Sequence, residues 1–293
     1  MEAELTEVDK LYFPHHFQKR LPFDKVLGEH VSFFNNESEK VKNSIRCEFD
    51  VPYGFLPREK YDIIGIDLPD DSPILIHVHG GYWQVKEISQ SNQAFMGKIL
   101  HKHNIKIINL GYGLCPDISL KEILNEIAAG IQRCLEYAKR NKSRAVFLSG
   151  HSAGAHMIAY LFSNVITNLP TEEQNLIKAV FISCGIYDLT PLTKTVINQG
   201  LKLTEETAKE LSPQYLNIST PEHIKFYVIV AEFDSPRFIE QGKMFYEKLK
   251  GNNIDAEYKV LKAIDHFNAI ENIVDENFQV TRLIIKVIEE SKK

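Results

Sequence analysis

Residues 145–156 read AVFLSGHSAGAH, a sequence that predicts a strand, a tight turn and a helix in succession. The apolar run at 145–149 predicts a short buried strand, and the residues from 153 to 166 have the period of a helix. Between them lies G-x-S-x-G at 150–154, a pattern that needs a tight strand-to-helix turn. Side chains at Gly150 and Gly154 would collide in such a turn, so glycine is required at both positions. We therefore expect Ser152 to stand exposed at the end of a strand, on a strained backbone.

The same alternation of short apolar runs and longer helical segments continues along the chain outside this stretch. It favours an α/β fold with a mostly parallel, twisted sheet of about eight strands flanked by helices. The predicted strands are 61–67, 74–79, 105–110, 145–149, 179–183, 226–231 and 256–261, with an edge strand at 47–51. The predicted helices are 24–43, 89–103, 119–141, 153–166, 236–250 and 272–290.

Two segments interrupt the alternation. Residues 1–45 combine a polar N-terminal extension with an amphipathic helix, and residues 188–222 are irregular or helical with three prolines. Both are predicted to cover one end of the sheet, the second as a small lid. Since no repeat, low-complexity tract or linker divides the sequence, we expect a single domain over 1–293.

Composition narrows the class of protein further. The chain has 293 residues, 44% of them hydrophobic, and a formal charge of −5 without a basic run, so a nucleic-acid partner is not expected. Residues 1–10 are acidic, and no apolar run approaches the roughly 18 residues that cross a bilayer, which argues against secretion and membrane insertion. Four cysteines without metal-type spacing fit a cytoplasmic protein. The sequence is also compatible with a homodimer.

Two later segments supply the partners that a nucleophilic serine needs. A hydroxyl becomes reactive when a neighbouring base takes its proton, and a strand-end acid followed by a histidine is the expected chain order. Residues 226–234, FYVIVAEFD, end in Asp234, and residues 262–267, KAIDHF, contain His266. We assign Ser152 as nucleophile, His266 as base and Asp234 as its supporting acid. The competing acids are Glu232, Asp188 and Asp265.

An earlier segment, IHVHGGYW at 76–83, ends a strand with two glycines. The amides of Gly80 and Gly81, together with that of Ala153, are predicted to bind the oxygen that becomes negative when Ser152 attacks a carbonyl. His77 and His79 share one strand face and could also suggest a metal. Because zinc sites need further ligands and none is spaced nearby, we expect no metal and no cofactor. His77 is then a core residue, and His79 bonds the glycine loop.

The motifs HGGYW at 79–83, YGLCP at 112–116, GHSAGAH at 150–156 and DHF at 265–267 together resemble the kynurenine formamidases, or arylformamidases, especially their insect forms. The similarity extends to DKLYFP at 9–14 and CGIYDL at 184–189. It implies an α/β-hydrolase fold and hydrolysis of N-formyl-L-kynurenine to L-kynurenine and formate in tryptophan catabolism. The implied chemistry runs through a formyl-enzyme.

By position, Ser152, Asp234 and His266 match the triad of that family. The resemblance also makes Tyr82 and Trp83 candidates to contact the aromatic leaving group, with a core role as the alternative for Trp83. Ser235 is a further candidate substrate contact. Gly113 replaces the asparagine expected in close relatives.

Two other functions are weighed against this one. Hormone-sensitive-lipase type carboxylesterases usually carry H-G-G-G and G-D-S-A-G, whereas this chain has Tyr82 and His151 at the differing positions, which favours the formamidase. A non-catalytic hydrolase-fold binding protein would have lost the triad. Fold alone cannot separate these functions, so the choice of substrate depends on the resemblance.

Overall fold

The computed structural model describes residues 5–291, and its centre is one eight-stranded sheet with the strand order β1-β2-β4-β3-β5-β6-β7-β8. Strands β1 and β2 pair antiparallel, as do β2 and β4, and all pairs from β4 to β8 are parallel. The sequence prediction of a mostly parallel sheet is therefore confirmed. The strands are β1 Cys47–Pro52, β2 Lys60–Ile64, β3 Ile74–Val78, β4 Lys106–Leu110, β5 Val146–His151, β6 Ile177–Ser183, β7 Lys225–Phe233 and β8 Ala256–Asp265.

Helices cover both faces of this sheet. They are α1 Glu7–Leu11, α2 Val26–Lys42, α3 Gly97–Leu100, α4 Leu120–Arg140, α5 Ala153–Leu161, α6 Thr171–Leu176, α7 Asn198–Leu201, α8 Glu205–Glu210, α9 Pro236–Gly251, α10 Asn268–Glu271 and α11 Gln279–Glu290. Single 3₁₀ turns are Pro14–His16, Phe23–Lys25, Gln90–Asn92, Ala94–Met96, His101–His103, Ile166–Asn168, Thr190–Lys194 and Asn272–Val274. No helix within residues 5–291 is both long and apolar enough to cross a membrane.

Alternating side chains of the strands build two hydrophobic cores. In β3, Ile74, Ile76 and Val78 belong to the core that also contains the buried faces of α4, α5 and α9, while Leu75 belongs to the core shared with α2 and α11. Because successive strand residues point to opposite faces, a strand that is buried throughout must be apolar on both. This explains why the central runs in the sequence are continuously apolar rather than alternating.

The helix predicted over 89–103 is only partly confirmed. This segment forms short 3₁₀ turns and the four-residue α3 rather than one continuous α-helix. A capping box between Ser89 and Asn92, with the backbone N–H of Ser89 donating to Asn92 at 3.2 Å, begins the first turn, and the backbone leaves helical geometry at Gln93, with φ −101° and ψ 6°. The helix predicted over 153–166 also ends early, at Leu161.

The two segments predicted to cover the sheet contact each other. Asp9, in α1, accepts a hydrogen bond from the backbone N–H of Val196 at 2.7 Å. Val196 and Ile197 lie in the 188–222 segment, which consists of a 3₁₀ turn, α7, α8 and loops. Both residues line a cavity that Ser152 also lines. Parallel strands place their carboxyl ends at one edge, so the loops after β3, β5, β7 and β8 meet beneath these segments.

Candidate active site

The turn after β5 holds Ser152 at φ 55° and ψ −119°, an unfavourable conformation for a residue with a side chain. The packing around the turn enforces it. A Cβ atom on Gly154 would lie 2.0 Å from the carbonyl oxygen of Val78, so α5 can approach β3 this closely only with glycine there. The predicted strained turn is therefore present, but the expectation of an exposed Ser152 is wrong, because the residue is only 4% exposed. Ser152 lines a cavity of about 470 Å³.

His266 and Asp234 meet beside this turn. The imidazole Nδ1 of His266, which follows β8, lies 2.8 Å from Oδ2 of Asp234, which follows β7. Oδ1 of Asp234 accepts the backbone N–H of Ser235 at 2.6 Å. A ring that donates from Nδ1 to a carboxylate carries its lone pair on Nε2, the nitrogen suited to take a proton.

His266 and Ser152 line the same cavity. Within residues 5–291, neither Oγ of Ser152 nor Nε2 of His266 hydrogen-bonds to another protein group. Catalytic hydrogen bonds of this kind often form only once substrate is bound. The structure thus brings the three predicted residues to one place, with the serine–histidine contact open.

The loop that carries His266 is fixed on two sides. His151 donates from Nε2 to the backbone carbonyl of His266 at 2.9 Å. Asp265 accepts the backbone N–H groups of Phe267 and Asn268, both at 2.9 Å, and pairs with Nε of Arg20 at 2.6 Å. These contacts hold the imidazole in place without involving its reactive nitrogen. Sequence reasoning missed Arg20, because no local pattern links positions 245 residues apart.

The competing acids are engaged elsewhere. Asp188 accepts from the backbone and hydroxyl of Thr190 at 2.8 and 2.7 Å. Glu232 pairs with Lys262 at 3.0 Å, and Asp265 binds Arg20 as described. Of the four carboxylates weighed, only Asp234 contacts the imidazole of His266.

Three backbone N–H groups are free to bind an anion beside Ser152. Within the described residues, those of Gly80, Gly81 and Ala153 donate to no protein acceptor, and Ala153 is the first residue of α5, where helix geometry leaves the N–H unpaired. Gly81 has φ 111°, which only glycine adopts readily. We call Gly80, Gly81, Ser152 and His266 the catalytic floor of the cavity.

The histidines near the floor are neutral. Burial lowers the pKa of His77 to about 3 and that of His79 to about 3, and it lowers the pKa of His151 well below the usual range. His77 bonds Oγ of Ser149 at 3.2 Å, and His79 bonds the carbonyl of Gly80 at 2.8 Å. These contacts match the predicted core and loop roles of His77 and His79.

The structure groups a different set of potential metal ligands. His151, Cys184 and His266 are the one group of three such side chains found in the described part of the chain, with ligand atoms within 4.8 Å of one another. Burial raises the pKa of the Cys184 thiol well above its usual value, which disfavours the thiolate that a metal would need. His266 is moreover engaged by Asp234 through Nδ1. The donor set therefore does not fit a resident ion.

Residues 13–34, which we call the N-terminal wall, supply a second part of the cavity lining. Aromatic and aliphatic groups dominate it, including Phe13, Pro14, Phe23 and Phe34. The ring of His15 packs edge-on against Phe267, next to His266 in sequence, with centroids 5.0 Å apart. The sequence predicted an N-terminal cover over the sheet but none of these cavity contacts.

The predicted substrate contacts separate into two groups. Tyr82 lines the cavity, and its hydroxyl donates to the backbone carbonyl of Tyr12. Trp83 and Ser235 are both 0% exposed and do not line the cavity. Trp83 packs edge-on against His156, with centroids 5.0 Å apart, and Ser235 caps α9 through the backbone N–H of Arg237 at 3.2 Å. The expectation that these two contact substrate is corrected: Trp83 is a core residue, and Ser235 is a helix cap.

Comparison with known proteins identifies the fold family of this chain. The family model of the alpha/beta hydrolase fold matches residues 75–269, so the chain is an α/β-hydrolase. Solved structures agree on the fold: a protein from Silicibacter sp. superposes with a TM-score of 0.77 at 22% identity, covering 97% of this chain and 99% of that one. An esterase from Pyrobaculum calidifontis gives 0.70 at 13% identity, covering 98% and 99% of the two chains.

Relatives of higher sequence identity show which family of α/β-hydrolases the chain belongs to. Kynurenine formamidase from Danio rerio is 31% identical, and that from Salmo salar is 30% identical, over 97% of both chains in each case. Kynurenine formamidase from Drosophila melanogaster is 29% identical over 73% of both chains. The chain belongs to the kynurenine formamidase family of α/β-hydrolases.

Proposed function

We propose that this protein hydrolyses the formamide of N-formyl-L-kynurenine to L-kynurenine and formate, in the breakdown of tryptophan, with Ser152, His266 and Asp234 as its triad. The observation that carries the proposal is the 2.8 Å pair of His266 and Asp234 on the same cavity as the strained Ser152. Family membership supports the choice of substrate.

The first half of the reaction forms a covalent intermediate. His266 takes the hydroxyl proton as Oγ of Ser152 attacks the formyl carbon, and the amides of Gly80, Gly81 and Ala153 bind the developing oxyanion. The imidazolium then protonates the aryl nitrogen, which is too basic to leave as an anion. Asp234 stabilises this cation and fixes the ring orientation. L-Kynurenine departs and leaves a formyl ester on Ser152.

The second half releases formate. Water attacks the formyl ester with His266 again acting as base, and collapse of the second tetrahedral intermediate restores the Ser152 hydroxyl. The formyl group needs little space at the floor. The apolar cavity between Tyr82 and the N-terminal wall is suited to the aromatic ring of the leaving group.

A general carboxylesterase of the hormone-sensitive-lipase type is the second candidate, because the same floor would cleave esters and the esterase from Pyrobaculum calidifontis shares the fold. A non-catalytic binding protein is disfavoured, since the three triad side chains are present with Asp234 and His266 already paired.

Organisation and setting are part of the proposal. One domain, with residues 1–45 and 188–222 covering the cavity, accords with the contact between Asp9 and Val196. We infer a cytoplasmic protein that binds neither nucleic acid nor membranes, on its charge and composition. Light scattering measures whether the protein forms a homodimer.

Ultraviolet monitoring of N-formyl-L-kynurenine hydrolysis tests the assignment. The parent protein is expected to turn over this substrate with a higher kcat/KM than short acyl esters. Ser152→Ala should lose at least about 10³-fold in kcat while remaining folded, since the nucleophile is gone. Ser163→Ala, a control in the loop after α5, should retain parent activity. A preference for esters would favour the carboxylesterase, and an active Ser152→Ala variant would exclude Ser152 as nucleophile.

A further inference from the structure

The cavity that Ser152 lines contains an acidic side chain but no basic one among its described lining residues. Its lining residues include no lysine and no arginine within residues 5–291, and Asp24 is the one carboxylate among them. Burial lowers the pKa of His15 to about 4 and also lowers the pKa of His30. The histidines of the wall are therefore uncharged near neutral pH and do not offset Asp24.

Asp24 is also unpaired. Within the described residues, its carboxylate has no ion-pair or hydrogen-bond partner. Most other acids beside the cavity are engaged: Glu271 binds His30 at 2.7 Å and Arg20 at 3.1 Å, and Asp265 binds Arg20 at 2.6 Å. Asp24 is solvent-exposed in the 3₁₀ turn Phe23–Lys25, so it lies where the N-terminal wall meets water.

Aromatic groups connect this carboxylate to the floor. Phe23 precedes Asp24 and packs against His15, with ring centroids 5.4 Å apart, and His15 packs against Phe267 at 5.0 Å. Phe267 follows His266 directly. Asp24 and Ser152 line the same cavity, so a substrate with its formyl group at Ser152 and its ring on these groups can direct its side chain towards Asp24.

We propose that Asp24 binds a cationic group on the leaving-group side of the substrate, so that the enzyme prefers arylformamides carrying an ammonium and disfavours those carrying only a carboxylate. The inference rests on the proposed formamidase function and specifies its substrate class. The ammonium of an amino acid side chain would contact Asp24, and the carboxylate would point to solvent, because no cation lines the cavity to receive it.

An alternative role for Asp24 is to stabilise α2, whose first residue is Val26, since carboxylates favour helix N-termini. The two roles predict different measurements. Loss of a helix interaction would lower the melting temperature and leave substrate preference unchanged. Loss of an ammonium contact would change the preference between charged and neutral substrates.

The test compares kcat/KM for N-formylkynurenamine, which has an ammonium and no carboxylate, with that for neutral formanilide and anionic N-formylanthranilate. In Asp24→Asn the ratio of the cationic to the neutral substrate should fall about fivefold, as expected for one solvent-exposed charge pair. Asp24→Glu should retain most of the parent ratio, and Asp24→Lys should reverse the order of the cationic and anionic substrates. Glu29→Gln, an exposed acid on α2 that does not line the cavity, is the matched control and should keep the parent ratio.

High salt should reduce the parent ratio towards that of Asp24→Asn, because exposed charge pairs are screened. An Asp24→Asn ratio within twofold of the parent, in a protein that hydrolyses formanilide, overturns this inference and leaves the formamidase function standing. A parent protein that hydrolyses none of the three formamides and not N-formyl-L-kynurenine overturns both proposals.

Discussion

The catalytic floor and the N-terminal wall line the same cavity, but different interactions hold them. The floor lies at strand ends, where close backbone packing forces Ser152 to φ 55° and Gly81 to φ 111°. The wall consists of two 3₁₀ turns and the first turns of α2, and long-range side-chain contacts hold it, such as Arg20 to Asp265. A strained backbone needs support from every neighbour, whereas a wall of side chains can change one residue at a time.

This difference implies different consequences for mutation. Changes in the floor should act on kcat, because its groups are the ones proposed to bind the transition state. Changes in the wall should act on substrate preference or KM, because its groups contact the part of the substrate that does not react. The following variants test that separation, beginning with the floor.

Asp234→Asn should give the largest effect among the supporting residues. The amide can no longer stabilise the imidazolium and can hold the wrong ring tautomer, so we expect kcat to fall by about 10³–10⁴-fold with KM changed little. Steady-state kinetics on N-formyl-L-kynurenine measure this. Glu240→Gln, an exposed acid of α9 that pairs with Arg237, is the control and should remain fully active. Equal losses in the two variants would contradict the assignment of the acid.

Arg20→Met tests whether the wall positions the floor. Arg20 lies in the wall, and its guanidinium bonds Asp265 at 2.6 and 3.3 Å, next to His266, the proposed base. Removing it should lower kcat by about three- to tenfold, with the half-exposed ion pair adding only a small loss of stability. Asp265 should remain a backbone acceptor, so the protein should fold.

A fall in kcat at unchanged KM supports this positioning role. Lys102→Met, an exposed cation on another turn, is the matched control. If Arg20→Met changed the melting temperature alone, the wall would be only a structural support for the floor.

Acid stability should show a smaller and distributed effect. Burial lowers the pKa of His77 to about 3 and that of His156 to about 4, whereas both would titrate near 6.5 in the unfolded chain. The unfolded state therefore binds more protons below pH 6.5, and the free energy of unfolding should fall as pH drops from 6.5 towards 4.

Urea unfolding at pH 7.5 and at pH 5 measures this loss. Each such histidine contributes a slope of at most about 1.4 kcal/mol per pH unit, so His156→Gln should reduce the pH dependence by up to that amount. A pH dependence in His156→Gln equal to that of the parent would show that burial does not keep His156 neutral.

The same contrast explains what sequence reasoning could reach. Ser152, Gly154 and Gly81 were predictable because a tight turn and a close approach restrict the residue type locally. Asp234 and His266 were predictable because parallel strands must end at one edge. The wall depends on which side chains happen to meet after folding, and a contact such as Arg20 with Asp265 leaves no local pattern. Trp83 shows that position in the sequence can also mislead, because it follows the glycine loop but its ring packs in the core.

The helix predicted over 89–103 is interrupted rather than continuous. Its hydrophobic period was adequate and a capping box between Ser89 and Asn92 begins it, but the backbone leaves helical geometry at Gln93, with φ −101° and ψ 6°. Tertiary packing sets such local backbone conformations, and the hydrophobic period of the sequence does not report it.

Labelling with a serine-directed fluorophosphonate, followed by mass spectrometry of the digested protein, tests whether Ser152 is the nucleophile. We expect one modified site, on the peptide containing Ser152, with labelling slowed by N-formyl-L-kynurenine and abolished in Ser152→Ala. Modification at another serine, or a parent protein that hydrolyses N-formyl-L-kynurenine while Ser152 stays unlabelled, would contradict it.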